Sequence, residues 1–308
     1  MSENKNLDKK YVIYQNDLKF RNLRNLDKSK IDWSQNNISH LYDVDHDTLE
    51  FRLNESKQSN NKDIDLRHLD LLQIPTQIYT PSFNMLQHLF LSNNKLSGMI
   101  DFSKFLNLNS LDLDNNDINE IILPQNLIEL SINNNKLCSL NCNKNLIRLK
   151  VSNNRLSNIN FSDKLEILEI DNNKFTDIDI SSLLKLRRLI VFCNPLINIK
   201  FTPSIEYADI SETNITQILC NNVSHNLEHL VANTCKNLKD IPKFNRLKNL
   251  ELINTPIDKL YYYDNFELII VQYNLTKNIS KKYKENDANI QIRKNTLLVI
   301  SKGIEIST

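Results

Sequence analysis

The chain has 308 residues, of which only two are glycine while 48 are asparagine. Average usage would give about 20 glycines. A phosphate loop, a G-x-G-x-x-G turn or a G-x-S-x-G nucleophile elbow needs two or more glycines close together. Gly98 and Gly303 can build none of them. The formal net charge of +1, from 38 basic and 37 acidic residues, lacks the basic excess by which a dedicated nucleic-acid binder neutralises phosphate.

The N-terminal stretch MSENKNLDKKYVIYQNDLKF is polar and has no apolar core of the kind a secretory signal needs. No apolar run is long enough to span a membrane. Five scattered cysteines without an export signal suit the reducing cytosol and free thiols. A cytoplasmic protein is therefore expected. Residues 1–62 lack any repeat and carry apolar patches at Tyr11-Val12-Ile13-Tyr14 and at the lone Trp33. They are read as an N-terminal cap, with the first ten or so residues disordered.

From Asp63 onward the sequence repeats. Ten segments fit the template L-x-x-L-x-L-x-x-N-x-L, starting at Leu86, Leu108, Leu127, Leu146, Leu165, Leu186, Ile205, Leu227, Leu247 and Phe266. They recur every 19–22 residues, and Thr276 is the one polar residue at an apolar template position. A degenerate eleventh unit precedes them, with Ile64, Leu66 and Leu71 at positions four, six and eleven, and Leu69 at the ninth. Positions four to six are expected to form a short strand, so that residues four and six point inward and three, five and seven point outward. One unit cannot bury its own core, but stacked units can. The strands would then form a parallel sheet along one side.

This pattern resembles the leucine-rich repeat family over residues 63–276. The resemblance implies an α/β-type solenoid or horseshoe with a parallel β-sheet on its concave face. Units of 19–22 residues leave about eight for the return. That is too short for an ordinary helix, so extended segments and 3₁₀ turns are expected on the convex face. Leu140, Ile159, Ile178, Ile199 and Ile218 would anchor the return. The family also implies a role for the ninth position, where stacked asparagines satisfy backbone groups at a sharp turn. Here that position holds Asn94, Asn116, Asn135, Asn154, Asn173, Asn194 and Asn274, interrupted by Thr213, Cys235 and Thr255, each of which can donate one hydrogen bond. Residues 277–308 alternate like one or two strands and are read as a C-terminal cap. The Asn, Ile and Lys richness is similar to that of repeat proteins from amoeba-infecting giant viruses and other AT-rich genomes.

No catalytic constellation is recognisable. His225 and His229 are spaced for a helical metal site, but the register puts them at a strand entry without a third ligand. Cys138 and Cys142 fall in a return loop. Some bacterial effectors with similar short repeats carry a C-terminal cysteine-dependent ubiquitin-ligase domain; only 32 residues follow the last unit here, and none is cysteine. No enzyme activity, cofactor or metal is expected. What remains is surface. Asp112, Asp114 and Glu129 form an acidic patch beside Arg148 and Lys150. Ile167, Arg188, Ile190, Phe192 and Tyr207, with Asp209 next to them, form an aromatic, aliphatic and arginine cluster typical of binding hot spots. The expected function is a non-catalytic scaffold that binds another protein, rather than nucleic acid or membrane, through the concave face, as a monomer. The alternative is a substrate-recognition adaptor for a ubiquitin ligase, with residues 1–60 recruiting the machinery.

Overall fold

The computed structural model describes residues 48–220, 226–257 and 266–272, together with the strands Asn289–Arg293 and Leu297–Ser301. These belong to one compact unit, Asp47–Thr308. The expectations for residues 1–47, for His225 and for Asn274 lie outside the described residues.

The described chain enters through a short helix, α1 (Leu49–Glu55), capped by Thr48, whose hydroxyl accepts from the Phe51 amide at 3.2 Å. Leu49 and Leu53 are half-buried against the core. Beyond it the repeat sets the architecture. The parallel strands are β1 (Asp63–Asp65), β2 (His88–Phe90), β4 (Ser110–Asp112), β6 (Glu129–Ser131), β7 (Arg148–Lys150), β8 (Ile167–Glu169), β9 (Arg188–Ile190), β11 (Tyr207–Asp209), β13 (His229–Val231), β14 (Asn249–Leu252) and β15 (Leu268–Gln272). They pair in this order, each with the equivalent residues of the next coil. Strands β16 (Asn289–Arg293) and β17 (Leu297–Ser301) extend the sheet antiparallel, β17 beside β15.

The template leucines are the core. Positions one, four, six and eleven of the central coils, such as Leu146, Leu149, Val151 and Leu156, are fully buried. The strands begin one residue earlier than the template suggests, covering positions three to five. Position six still donates across the stack, as Leu91 N does to Asp112 O at 2.7 Å. There the chain is already turning, and the ladder continues through single amides.

The return side is extended. Two short parallel pairs form there, β3 (Ser97–Asp101) with β5 (Asp117–Ile122) and β10 (Asn198–Phe201) with β12 (Gln217–Cys220). The 3₁₀ turns Thr76–Tyr79 and Pro81–Phe83 fall in the degenerate first unit. Leu140, Ile159, Ile199 and Ile218 are buried and Ile178 packs against the core. Coils of this length stack with little helix because both sides advance by about one strand spacing per unit.

The turn out of each strand explains the glycine and asparagine counts together. Position eight adopts left-handed backbone in every coil where it is described: Asn93, Asn115, Asn134, Asn153, Asn172 and Asn254 have φ between 51° and 58°. Asparagine tolerates this region better than other residues that carry a Cβ. Asn115 and Asn134 also bond their position-eight neighbours, at 3.1 and 2.8 Å. Cys193, Glu212 and Thr234 adopt the same backbone without that tolerance.

Candidate functional site

The ninth position makes an internal ladder of hydrogen bonds, from which Thr213 omits the bridge to the preceding coil among the described contacts. Asn154 is representative: its Nδ2 donates to Ile132 O at 2.9 Å, Val151 O at 3.3 Å and Ser152 O at 3.1 Å, and its Oδ1 accepts from Leu137 N at 3.0 Å. Asn94, Asn116, Asn135, Asn173 and Asn194 repeat this pattern, each bridging its own coil and the preceding one. Thr213 donates to Ile210 O at 2.7 Å, Cys235 Sγ reaches Ile210 O at 3.2 Å, and Thr255 donates to Ala232 O at 2.5 Å. The ladder is structural; it fixes the sheet whose outer face is the candidate site.

That face is built from positions three, five and seven, because successive side chains of a strand point to opposite sides. Position four is buried in each strand and its neighbours are half-exposed. The residues singled out in the sequence fall on adjacent strands. Ile167 pairs in register with Arg188, and Arg188 with Tyr207; Glu169, Ile190 and Asp209 form the parallel row. The Arg188 guanidinium stacks over the Tyr207 ring at 4.3 Å and its Nε donates to Glu169 Oε1 at 3.1 Å. Lys150 Nζ reaches the other oxygen of Glu169 at 3.2 Å. Phe192, at position seven, lies half-exposed on the same coil as Ile190.

The acidic patch divides. Glu129 pairs with Arg148. Asp112 and Asp114 instead take neutral donors, Asp112 from Ser92 Oγ at 2.8 Å and Asp114 from Ser131 Oγ at 2.8 Å and from Asn133 N at 2.7 Å. Burial, and secondarily the neighbouring Asp114, hold the Asp112 carboxyl above its ordinary value of 3.8. Ionised Asp112 therefore costs the folded state at neutral pH. The cost disappears as pH falls through the raised folded value and below 3.8, where both states are protonated. Asp112→Asn is expected to raise the urea midpoint at pH 7 and to leave it almost unchanged at about pH 3. An equal shift at both pH values would show that hydrogen bonding, not charge, sets the effect.

Other candidates are placed without chemistry. His229 lies in β13, its Nδ1 paired with Asn249 Nδ2 at 2.8 Å, and burial lowers its pKa. Cys138 and Cys142 are separate free thiols. Burial pushes the Cys142 thiol up to about 12. Burial and then Glu212 push Cys193 to about 11. Thiols held this high are poor nucleophiles.

One surface has no signal in the template. On the return side, Leu72 (73% exposed), Met99 (60%) and Tyr79 (42%) line a shallow groove of about 330 Å³. These residues lie outside the repeated positions, so periodicity gives no reason to group them.

Several solved structures share this fold. YopM from Yersinia enterocolitica WA-314 is 21% identical, with 70% of this chain and 52% of that one covered at a TM-score of 0.55. The leucine-rich effector protein YopM from Yersinia pestis is 20% identical, with 67% and 64% covered at 0.54. The leucine-rich repeat domain of APL1B is 19% identical, with 71% and 66% covered at 0.51. The chain spans about half the length of the Yersinia enterocolitica structure it matches. No protein-family model and no curated protein sequence matches it.

Proposed function

We propose, from the premise that this chain folds as a leucine-rich repeat solenoid, that it is a non-catalytic module binding another protein through the outer, concave face of its long sheet. One observation carries this reading. Eleven parallel strands hold their outward side chains in fixed register, and at β8, β9 and β11 these side chains join aliphatic, aromatic and arginine groups in one patch. Such patches, rimmed by polar groups, are where binding energy concentrates. They are also preorganised, since the ladder beneath fixes the backbone, and this lowers the ordering cost of association. The carboxylates on the face disfavour phosphate, which supports a protein partner over a nucleic acid.

Affinity capture with mass spectrometry tests this. The double variant Arg188→Ala with Phe192→Ala is expected to retain less than about a tenth of a partner held by the unaltered chain, as loss of two hot-spot residues implies. Leu72→Ala with Met99→Ala, on the return side, is expected to retain it. Equal loss from both variants would contradict the assignment of the face.

A further inference from the structure

The three outward rows of the eleven parallel strands carry nine carboxylates and four cations, a net −5 with histidine neutral, on a chain whose net charge is +1. The four cations are all engaged by carboxylates of the same face. Arg67 holds Asp65, Arg148 holds Glu129, and Lys150 and Arg188 share Glu169. The flanking row at position two carries three cations and four carboxylates, with Arg187 paired to Glu206 at 2.8 Å and Lys248 to Glu228 at 2.7 Å. Asp112, Asp114, Asp171, Asp209 and Glu251 make no ion pair among the described residues. Neutral donors serve them instead: Ser152 Oγ for Asp171 at 2.5 Å, Ser211 N for Asp209 at 3.0 Å, and Asn233 Nδ2 for Glu251 at 3.3 Å.

The register adds a spacing. Along the fifth-position row, the partners on successive strands are Glu169, Ile190, Asp209, Val231, Glu251 and Ile270. Carboxylate and aliphatic residues alternate. Strands lie about 4.8 Å apart, so the carboxylates recur about every 9.5 Å. A polyproline-like segment rises about 3.1 Å per residue with three residues per turn, and so presents every third side chain on one side about 9.3 Å apart. The two repeats match. Beside this row, the stacking of Arg188 on Tyr207 shows that the face already holds a guanidinium between a carboxylate and a ring.

We propose that the row from Glu169 to Ile270 receives an extended basic polypeptide segment, with Lys or Arg at every third position over the carboxylates and apolar side chains against Ile190 and Val231. This rests on the reading of the sheet face as a protein-binding surface. The added charge pairs make association dependent on salt.

The probes are a fluorescein-labelled peptide of four Lys-Pro-Val triplets and the same peptide with glutamate for lysine, titrated onto the intact chain by fluorescence anisotropy. The lysine peptide is expected to bind and the glutamate peptide not to. Asp209→Asn with Glu251→Gln is expected to weaken binding about tenfold, the equivalent of two partly desolvated ion pairs. Glu120→Gln with Asp177→Asn, the same charge change on the return side, is expected to leave it within about twofold. Failure of the lysine peptide to bind, or equal weakening by both double variants, overturns the proposal. If a captured protein depends on Arg188 and Phe192 but not on Asp209 and Glu251, the face is a binding surface and the basic-segment proposal falls.

Discussion

Replacing Asn154 with alanine is expected to lower stability by about 1–3 kcal/mol, the cost of leaving buried polar groups without partners. The amide is 9% exposed and serves two coils at once. Alanine removes the donor to Ile132 O, Val151 O and Ser152 O, and the acceptor for Leu137 N. The leucine core on one side and the next ladder asparagine on the other leave little room for water to replace it. Asn158→Ala, in the exposed return loop, is the matched control and is expected to stay within about 0.5 kcal/mol. Urea denaturation of both variants checks this; an unchanged midpoint for Asn154→Ala would mean that the ladder is not holding the coils.

Thr234→Asn is expected to have the opposite sign, raising stability by about 1 kcal/mol. Thr234 sits at φ 58°, a backbone region that costs a β-branched residue of order 1–3 kcal/mol. Six equivalent turns use asparagine at the same φ, so the substitution meets no new backbone geometry. The reciprocal change Asn153→Thr, at φ 54° on an exposed turn, is expected to lose about the same amount. If both substitutions left the thermal midpoint unchanged, left-handed strain would not be the reason asparagine fills this position.

The repeat was readable in the sequence because its signal is periodic and its chemistry is uniform. Leu149 and Val151 could be placed inside, and Arg148 and Lys150 outside, from spacing alone. Position eight was harder to separate from nine, since both are often asparagine. The first of each pair carries the left-handed backbone and the second carries the ladder. The return pairs differ: β10–β12 brings the repeated anchors Ile199 and Ile218 into register, whereas in β3–β5 Gly98, itself at φ 76°, and a register shift at Met99 break the pattern. The groove at Leu72, Tyr79 and Met99 was equally silent, because its residues come from non-equivalent positions of neighbouring coils. On the sheet face, sequence grouped Arg188 with Ile190 and Tyr207. It did not show that Glu169 gathers both Lys150 and Arg188, so that along its row Asp209 and Glu251 are left without an ion pair among the described residues. Pairing of that kind depends on side-chain reach across strands, which spacing does not encode.

Hydroxyl-radical footprinting of the intact chain, alone and with a captured partner, tests the central claim most directly. Aromatic side chains report their own exposure, and the two competing surfaces carry different ones. The sheet-face reading predicts strong protection of Phe192 and Tyr207 with Tyr79 and Met99 unchanged. Protection of Tyr79 and Met99 with Phe192 and Tyr207 still reactive would place the partner on the return side and contradict it.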